Sequence, residues 1–294
     1  LTRRFGSTIV LVVGILLGLG SDANAYFERL FVSARAFSLG GASVAIVEDP
    51  SATLLNTAGL AQVPKASFLS SLERPYELSD LNASFVAAAV RTRFGVVGLS
   101  WHRFGLQDVT SEDLFTVAFA GDLIRNSQDA SLSIGAGLDL AQVRYSSTYT
   151  DAKSVLTGSL GVLLRPFPAI GLGYSVRNLG QPAFDWVAGD GATRLEATHA
   201  FGLAYHWQED VMFVYERALG QDDVWRDALG VEVHAGEQLS MRGGLHDGDV
   251  TGGLGVRVSM LTLDAGVTAH DVMGLTYYVS IGLTLRDPEE GDFE

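Results

Sequence analysis

The chain has 294 residues, no cysteine, a formal net charge of −14 at pH 7, 18% charged residues and a mean hydropathy of +0.22. Zero cysteines exclude disulfide scaffolds, thiolate metal sites and cysteine nucleophiles together. The acidic balance argues against nucleic acid as a partner, because phosphate binding needs clustered Lys and Arg and the only lysines are Lys65 and Lys153. A typical soluble domain is about 25% charged, so this chain is greasier than that class.

Arg3 and Arg4, the apolar run Ile9 to Leu19 and then Ala23-Asn24-Ala25 follow the charged, apolar, small-residue order of a secretory signal peptide. Cleavage is expected after Ala25, with the mature protein starting at Tyr26. An N-terminal membrane anchor is the alternative, but the apolar run falls short of the roughly 18 to 20 residues that a spanning helix needs. No cysteine follows it, which excludes a lipoprotein anchor. Beyond Leu19 no apolar run approaches helix length. Hydrophobicity is spread instead through short alternating segments, the pattern of transmembrane strands.

Residues 26–64 come next and are read as a plug or hatch for the barrel that follows. Asp49-Pro50-Ser51 is a helix start, with an acid that can cap free amides and proline at the first helical position. A short helix through Ala52 to Leu55 should follow. Asn56 and Gly59 then supply turn residues before Pro64. Gly40-Gly41-Ala42 removes side-chain bulk where backbone must pass close to a neighbour, most simply the barrel wall. Arg35, Gly40, Gly41, Asp49, Asn56 and Gly59 are the candidate plug and gating residues. A cap that merely fills the lumen is the plainer alternative to a gate.

Period-two segments then run at about 66–72, 83–91, 94–102, 112–120, 130–145, 153–165 and 168–178. Seven more follow near 195–207, 210–218, 225–234, 237–245, 250–258, 260–268 and 275–286. The sum is fourteen strands, an even number as bacterial barrels require. In the last, Leu275, Tyr277, Val279, Ile281, Leu283 and Leu285 share one face, while Thr276, Tyr278, Ser280, Gly282 and Thr284 share the other. Connections after even-numbered strands are mostly tight, at Thr92-Arg93, Pro166-Phe167, Gln208-Glu209, Gly236 and Ser259. Those after odd-numbered strands are longer, notably Phe104 to Ser111 and Gly180 to Arg194. This parity places both termini in the periplasm. Gly121 to Asp129 is long on the short side, and His246-Asp247-Gly248-Asp249 reads as a tight Asp-Gly hairpin on the long side.

Alternation alone does not say which face meets lipid, since a soluble barrel has the same period. Composition decides it. The non-apolar face is built from Gly, Ser, Ala and Thr, as in Ser131, Ser133, Gly135 and Gly137, where a water-facing sheet would carry Lys and Glu. Asp139, Glu216, Arg226, Glu232, Arg257 and Asp264 are then lumen-facing charges. Facing lipid, an Arg at mid-depth would cost about 2 to 4 kcal/mol. Trp101, Trp207 and Trp225 fall near strand ends, as interfacial aromatics should.

No catalytic, cofactor or metal site emerges. Histidines 102, 199, 206, 234, 246 and 270 have no metal-ligand spacing. Ser100 and His102 share a strand face without a third group to orient a base. The many Gly-x-Gly pairs sit inside strands, which is not the context of a nucleotide fingerprint. Asp185, Asp190, Asp222 and Asp223 lack regular oxygen-ligand spacing and read as solvated loop acids, as do the acids of the tail 287–294.

Residues 34 to 60 resemble the N-terminal segment shared by the PorV/PorQ family of type IX secretion and the related FadL-type long-chain fatty acid transporters. Ala34-Arg35, Gly40-Gly41-Ala42, Ala45, Asp49, Ser51-Ala52, Asn56 and Ala58-Gly59-Leu60 carry the likeness, with Thr57 standing where proline is usual. Tyr174 to Gly180 resembles the family's strand-end motif, and Arg242 to Leu245 and Gly252 to Arg257 resemble its closing hairpins. The resemblance implies an all-β, fourteen-stranded transmembrane barrel over 65–286 with an N-terminal hatch, in the bacterial outer membrane. Its expected task is transport or type IX protein secretion, or else, on the FadL side, passage of long-chain fatty acids or other hydrophobic small molecules. Expected partners are outer-membrane lipid and either secreted cargo proteins or those hydrophobic molecules. No enzymatic activity and no cofactor are expected.

Overall fold

The computed structural model describes residue 27 and residues 32–126, 130–146, 152–184, 193–208, 210–270 and 274–286. The expected signal peptide, the tail 287–294 and the loop acids Asp185 and Asp190 lie outside the described residues.

Seven strands lead the barrel: β1 (Ala66–Arg74), β2 (Leu81–Thr92), β3 (Gly95–Leu106), β4 (Thr110–Arg125), β5 (Ser131–Tyr145), β6 (Lys153–Phe167) and β7 (Ile170–Leu179). A two-residue ribbon, β8 (Ala183–Phe184) with β9 (Thr193–Arg194), interrupts the connection that follows. Seven more strands complete the wall: β10 (Thr198–Trp207), β11 (Val211–Leu219), β12 (Trp225–Ala235), β13 (Leu239–His246), β14 (Asp249–Val258), β15 (Leu261–His270) and β16 (Gly274–Leu285). Each pairs antiparallel with its neighbours, and β1 pairs with β16 from Ala66↔Leu285 to Arg74↔Tyr277, so the sheet closes on itself as fourteen strands. Closure leaves no unpaired sheet edge, which is the condition for β structure to cross lipid.

The facing follows the composition argument. Along β5, Ser131, Ser133, Gly135, Gly137, Asp139, Ala141 and Val143 are buried, while Ile134, Leu138 and Leu140 are exposed. Along β16, Thr276, Tyr278 and Ser280 are buried, while Tyr277, Val279, Ile281 and Leu283 are exposed. The apolar face therefore points outward all round, and the small and polar face points into the lumen. No described helix is long and apolar enough to cross a membrane, so strands would provide any crossing.

The structure corrects three details. The long connection expected from Phe104 to Ser111 is a three-residue turn, 107–109, because β3 and β4 run on to Leu106 and from Thr110. The long connection from Gly121 shrinks similarly, as β4 continues through an irregularity between Asp122 and Ile124 to Arg125. Trp101 lies inside β3, while Trp207 and Trp225 do end their strands. The Asp247-Gly248 hairpin turn has positive φ at both residues, 48° and 95°, as a type I′ turn requires.

Candidate functional site

The segment from Val32 to Val63 lies within the barrel and makes a circuit of its inner wall. Helix α1 (Ala34–Ser38) is capped by Ser33, whose Oγ accepts from the Ala36 amide at 3.1 Å. Its first amide, on Ala34, donates to Ser280 Oγ of β16 at 2.7 Å, and Ser71 Oγ of β1 donates to Val32 O at 3.0 Å. Next round, Thr251 Oγ1 of β14 donates to Ser38 O and accepts from the Gly40 amide, each at 3.0 Å. Glu216 of β11 accepts from the Ser43 and Val44 amides at 2.8 and 2.9 Å. Helix α2 (Ala52–Leu55) starts where Asp49 Oδ1 accepts from the Ser51 amide at 2.7 Å. Fully buried Asn56 braces the far side: its Nδ2 donates to Val44 O at 2.8 Å and to Val162 O of β6 at 3.1 Å, and its Oδ1 accepts from the Ala58 amide at 3.2 Å. The circuit ends at Arg91 of β2, whose guanidinium donates to the carbonyls of Ala61, Val63 and Pro64. These bonds matter because backbone groups sealed from water must find partners.

Glycines in the wall make the seat. A methyl group built on Gly173 would lie 2.3 Å from Val44 O, one on Gly161 2.1 Å from Asn56 Oδ1, and one on Gly135 2.4 Å from Thr57 C. Gly253 and Gly244 meet Ser38 and the Leu39–Gly40 peptide in the same way, at 2.0 and 2.3 Å. The small lumenal face is thus a track cut for the segment's backbone. From the segment's side, Gly40 (φ 70°) would carry a methyl 2.5 Å from Leu245 O of β13, the wall contact expected of it. Gly59 serves a different contact: its close neighbour is Val47 O, within the segment itself. Gly41 has φ 91° in the turn that leaves α1.

Four alternating charges lock α1 to the wall. Arg35 donates through Nε and Nη2 to Glu232 Oε2 and Oε1 at 2.9 and 3.1 Å. Arg242 of β13 donates to Glu232 Oε2 at 2.6 Å and to Asp264 Oδ1 at 2.5 Å. The Glu232 side chain is 1% exposed, that of Arg35 22%. Two arginines and two carboxylates leave no net charge in the quartet. Burial alone would pull the Arg35 guanidinium down; Glu232 beside it more than reverses this and holds it above its ordinary value.

The other expected lumenal charges divide. Asp139 is buried and accepts from Thr116 Oγ1 at 2.5 Å. Arg226 stands at the rim, paired with Asp222 and, at 3.2 Å, with Asp247. Arg257 is on the inward-facing register near the end of β14 but is exposed and away from the segment's contacts. Ser100 and His102 are both buried on the inner side of β3 and make no hydrogen bond to each other, so neither faces lipid on the outer surface. Sequence reasoning gave Arg242, Arg91, Ser280 and Thr251 no role in holding the segment, although it put Ser280 on the polar face of the last strand. Arg242 was within reach, since it shares a strand face with Gly244, two residues away.

Between segment and wall lies a cavity of about 320 Å³. Ala36, Val44, Leu54 and Leu55 line it from the segment, Phe27 from ahead of the segment, and Ala200, Ala218, Leu219 and Ala228 from β10, β11 and β12. Arg177, Glu216 and Arg226 add charged groups to the same lining, and Ser43, Ser175, Thr198, His199, Gln221 and His246 add polar ones. An apolar cavity of about 150 Å³ is enough to hold benzene. The larger volume therefore admits a small hydrophobic molecule, with a few polar groups to orient it.

No family model and no curated protein matches the chain. Solved structures do. A monoaromatic hydrocarbon channel, CymD, is 12% identical with a TM-score of 0.65, the match covering 90% of this chain and 100% of that one. The Pseudomonas putida toluene transporter TodX is 12% identical with a TM-score of 0.60, over 85% and 96% of the two chains. A Pseudomonas aeruginosa FadL homologue is 13% identical with a TM-score of 0.58, over 88% and 100%. At such identities the likeness is one of architecture: the chain has the closed, fourteen-stranded antiparallel barrel fold of FadL-like outer-membrane proteins.

Proposed function

We propose that the protein is an outer-membrane channel for hydrophobic small molecules, with residues 26–64 as its plug and Arg35, Gly40, Gly41, Asp49, Asn56 and Gly59 holding that plug in place. The observation that carries this reading is the 320 Å³ cavity between segment and wall, apolar over most of its lining and bordered by the plug's own Phe27, Leu54 and Leu55. A molecule resting there touches both the fixed wall and the element that must move for it to pass. The names of the similar structures, a hydrocarbon channel and a toluene transporter, support a substrate of this class. They support a transport task over an enzymatic one. In the same reading the outward apolar face meets outer-membrane lipid.

Protein secretion, the other task implied by the resemblance, has no such support. The test is purification in mild detergent followed by mass spectrometry of what remains bound. Stoichiometric hydrophobic small molecules are expected; a stoichiometric exported protein without them would overturn the reading.

A further inference from the structure

The outer wall carries a polar ledge at the end of the barrel away from its termini. Directly opposed residues on antiparallel strands share a face, so the registers define rows on the lipid side. One row runs Val86, Trp101, Phe115, Leu140 and Leu156, all apolar and exposed. The next row toward the rim changes character at once: Ser84, Arg103, Asp113, Gln142 and Ser154. Above it come Asn82, Gly105, Ser111 and Arg144. Residues of both polar rows line a rim cleft of about 520 Å³.

Two cations and two acids stand at the ledge: Arg103 and Arg144, with Asp113 directly opposite Arg103 and Asp108 on the turn. Arg103 and Arg144 are both exposed, in a chain of net charge −14. The nearest acid, Asp113, is buried and engaged by Trp101 Nε1 at 2.9 Å and Ser111 Oγ at 3.4 Å. Arg103 has no ion pair among the described residues. Arg144 is steadied through Nε and Nη2 by Gln142 Oε1, which is neutral. Asp108, on the turn, is the acid that lines the cleft.

We propose that this ledge binds the phosphate of a membrane lipid, with the arginines forking onto the phosphate oxygens and the acyl chains lying down the apolar row of Trp101, Phe115 and Leu140. Guanidinium geometry matches phosphate oxygens two at a time, and the change from the apolar row to the polar row marks the depth at which headgroups would sit. Basic pockets at that depth are sites for anionic headgroups. The inference rests on the barrel being membrane-embedded and is independent of what the lumen carries.

The test is native mass spectrometry of the full chain in non-ionic detergent, titrated with phosphatidic acid, with diacylglycerol and with inorganic phosphate. Phosphatidic acid is expected to bind at least tenfold more tightly than either of the others, and R103Q/R144Q to lower it to the diacylglycerol level. R93Q/R125Q, which removes two arginines at the opposite rim, should retain wild-type binding, and heat-modifiable electrophoresis checks that each variant stays folded. Equal binding of diacylglycerol would overturn phosphate recognition. Equal competition by inorganic phosphate would reassign the cleft to a free anion, and equal loss in R93Q/R125Q would reduce the effect to overall charge.

Discussion

Glu232→Gln isolates the lock between α1 and the wall. The substitution keeps side-chain volume and removes one negative charge, leaving Arg35 facing a neutral amide while Arg242 keeps Asp264 at 2.5 Å. Removing one partner of a buried ion pair costs about 3 to 5 kcal/mol. Arg35 retains 22% exposure and can be partly rehydrated, so the low end, about 3 kcal/mol, applies. That is roughly two powers of ten in the population of the released segment. Because the chain has no cysteine, Ser43→Cys introduces a unique thiol, and since Ser43 Oγ makes no hydrogen bond, the change breaks none. When the segment reseats faster than the reagent reacts, the labelling rate tracks the released population. E232Q should therefore raise it about a hundredfold, with the barrel still resistant to heat on electrophoresis. R35Q/E232Q should recover much of the loss, since no unpaired charge remains. A labelling rate unchanged by E232Q would refute the lock.

Gly173→Ala places a methyl 2.3 Å from Val44 O; overpacking of this kind costs about 1 to 3 kcal/mol, and the thiol at position 43 should label correspondingly faster. Gly282→Ala, whose nearest neighbour would be 3.7 Å away, should change nothing by the same assay. Asp49 is pushed above the ordinary carboxylate value by burial, against the opposing hydrogen bonds from Ser51. Its protonation therefore favours the seated segment: the contribution is complete below about pH 4, the ordinary carboxylate value, and is lost as pH rises through the higher seated-state value. Labelling, normalised to a free thiol's own rise with pH, should accelerate across that window, and D49N should flatten the normalised profile. Deleting residues 34–60 should open a conducting pore in planar bilayers, and unchanged conductance would contradict a gating role.

The barrel was legible because its signal is local. Period two fixes facing, as Ser133 and Gly135 against Ile134 illustrate, and small residues opposite apolar ones mark a wall whose inside is filled. Strand ends were less legible: Gly105 looks like a loop residue, yet ladder hydrogen bonds carry β3 to Leu106. Within the segment, Asp49-Pro50-Ser51 and Asn56 announced their helix and turn through capping and turn chemistry. What Asn56 does beyond that, bonding Val44 and also Val162 at 106 residues from itself in sequence, is a long-range contact that no local pattern encodes. Of the partners of Glu232, Arg35 was hidden for the same reason, at 197 residues' separation, whereas Arg242 lies directly opposite it across the β12–β13 hairpin.

The central claim is that a hydrophobic molecule passes through the cavity beside the segment. Its most direct test is the initial rate of toluene uptake by Gram-negative cells expressing the wild type or Ala200→Trp, which fills the cavity from the β10 side. The account predicts faster uptake with the wild-type protein and a return to the empty-vector rate with A200W at equal barrel levels. Uptake by A200W equal to wild type, or no gain from the wild type at all, would contradict it.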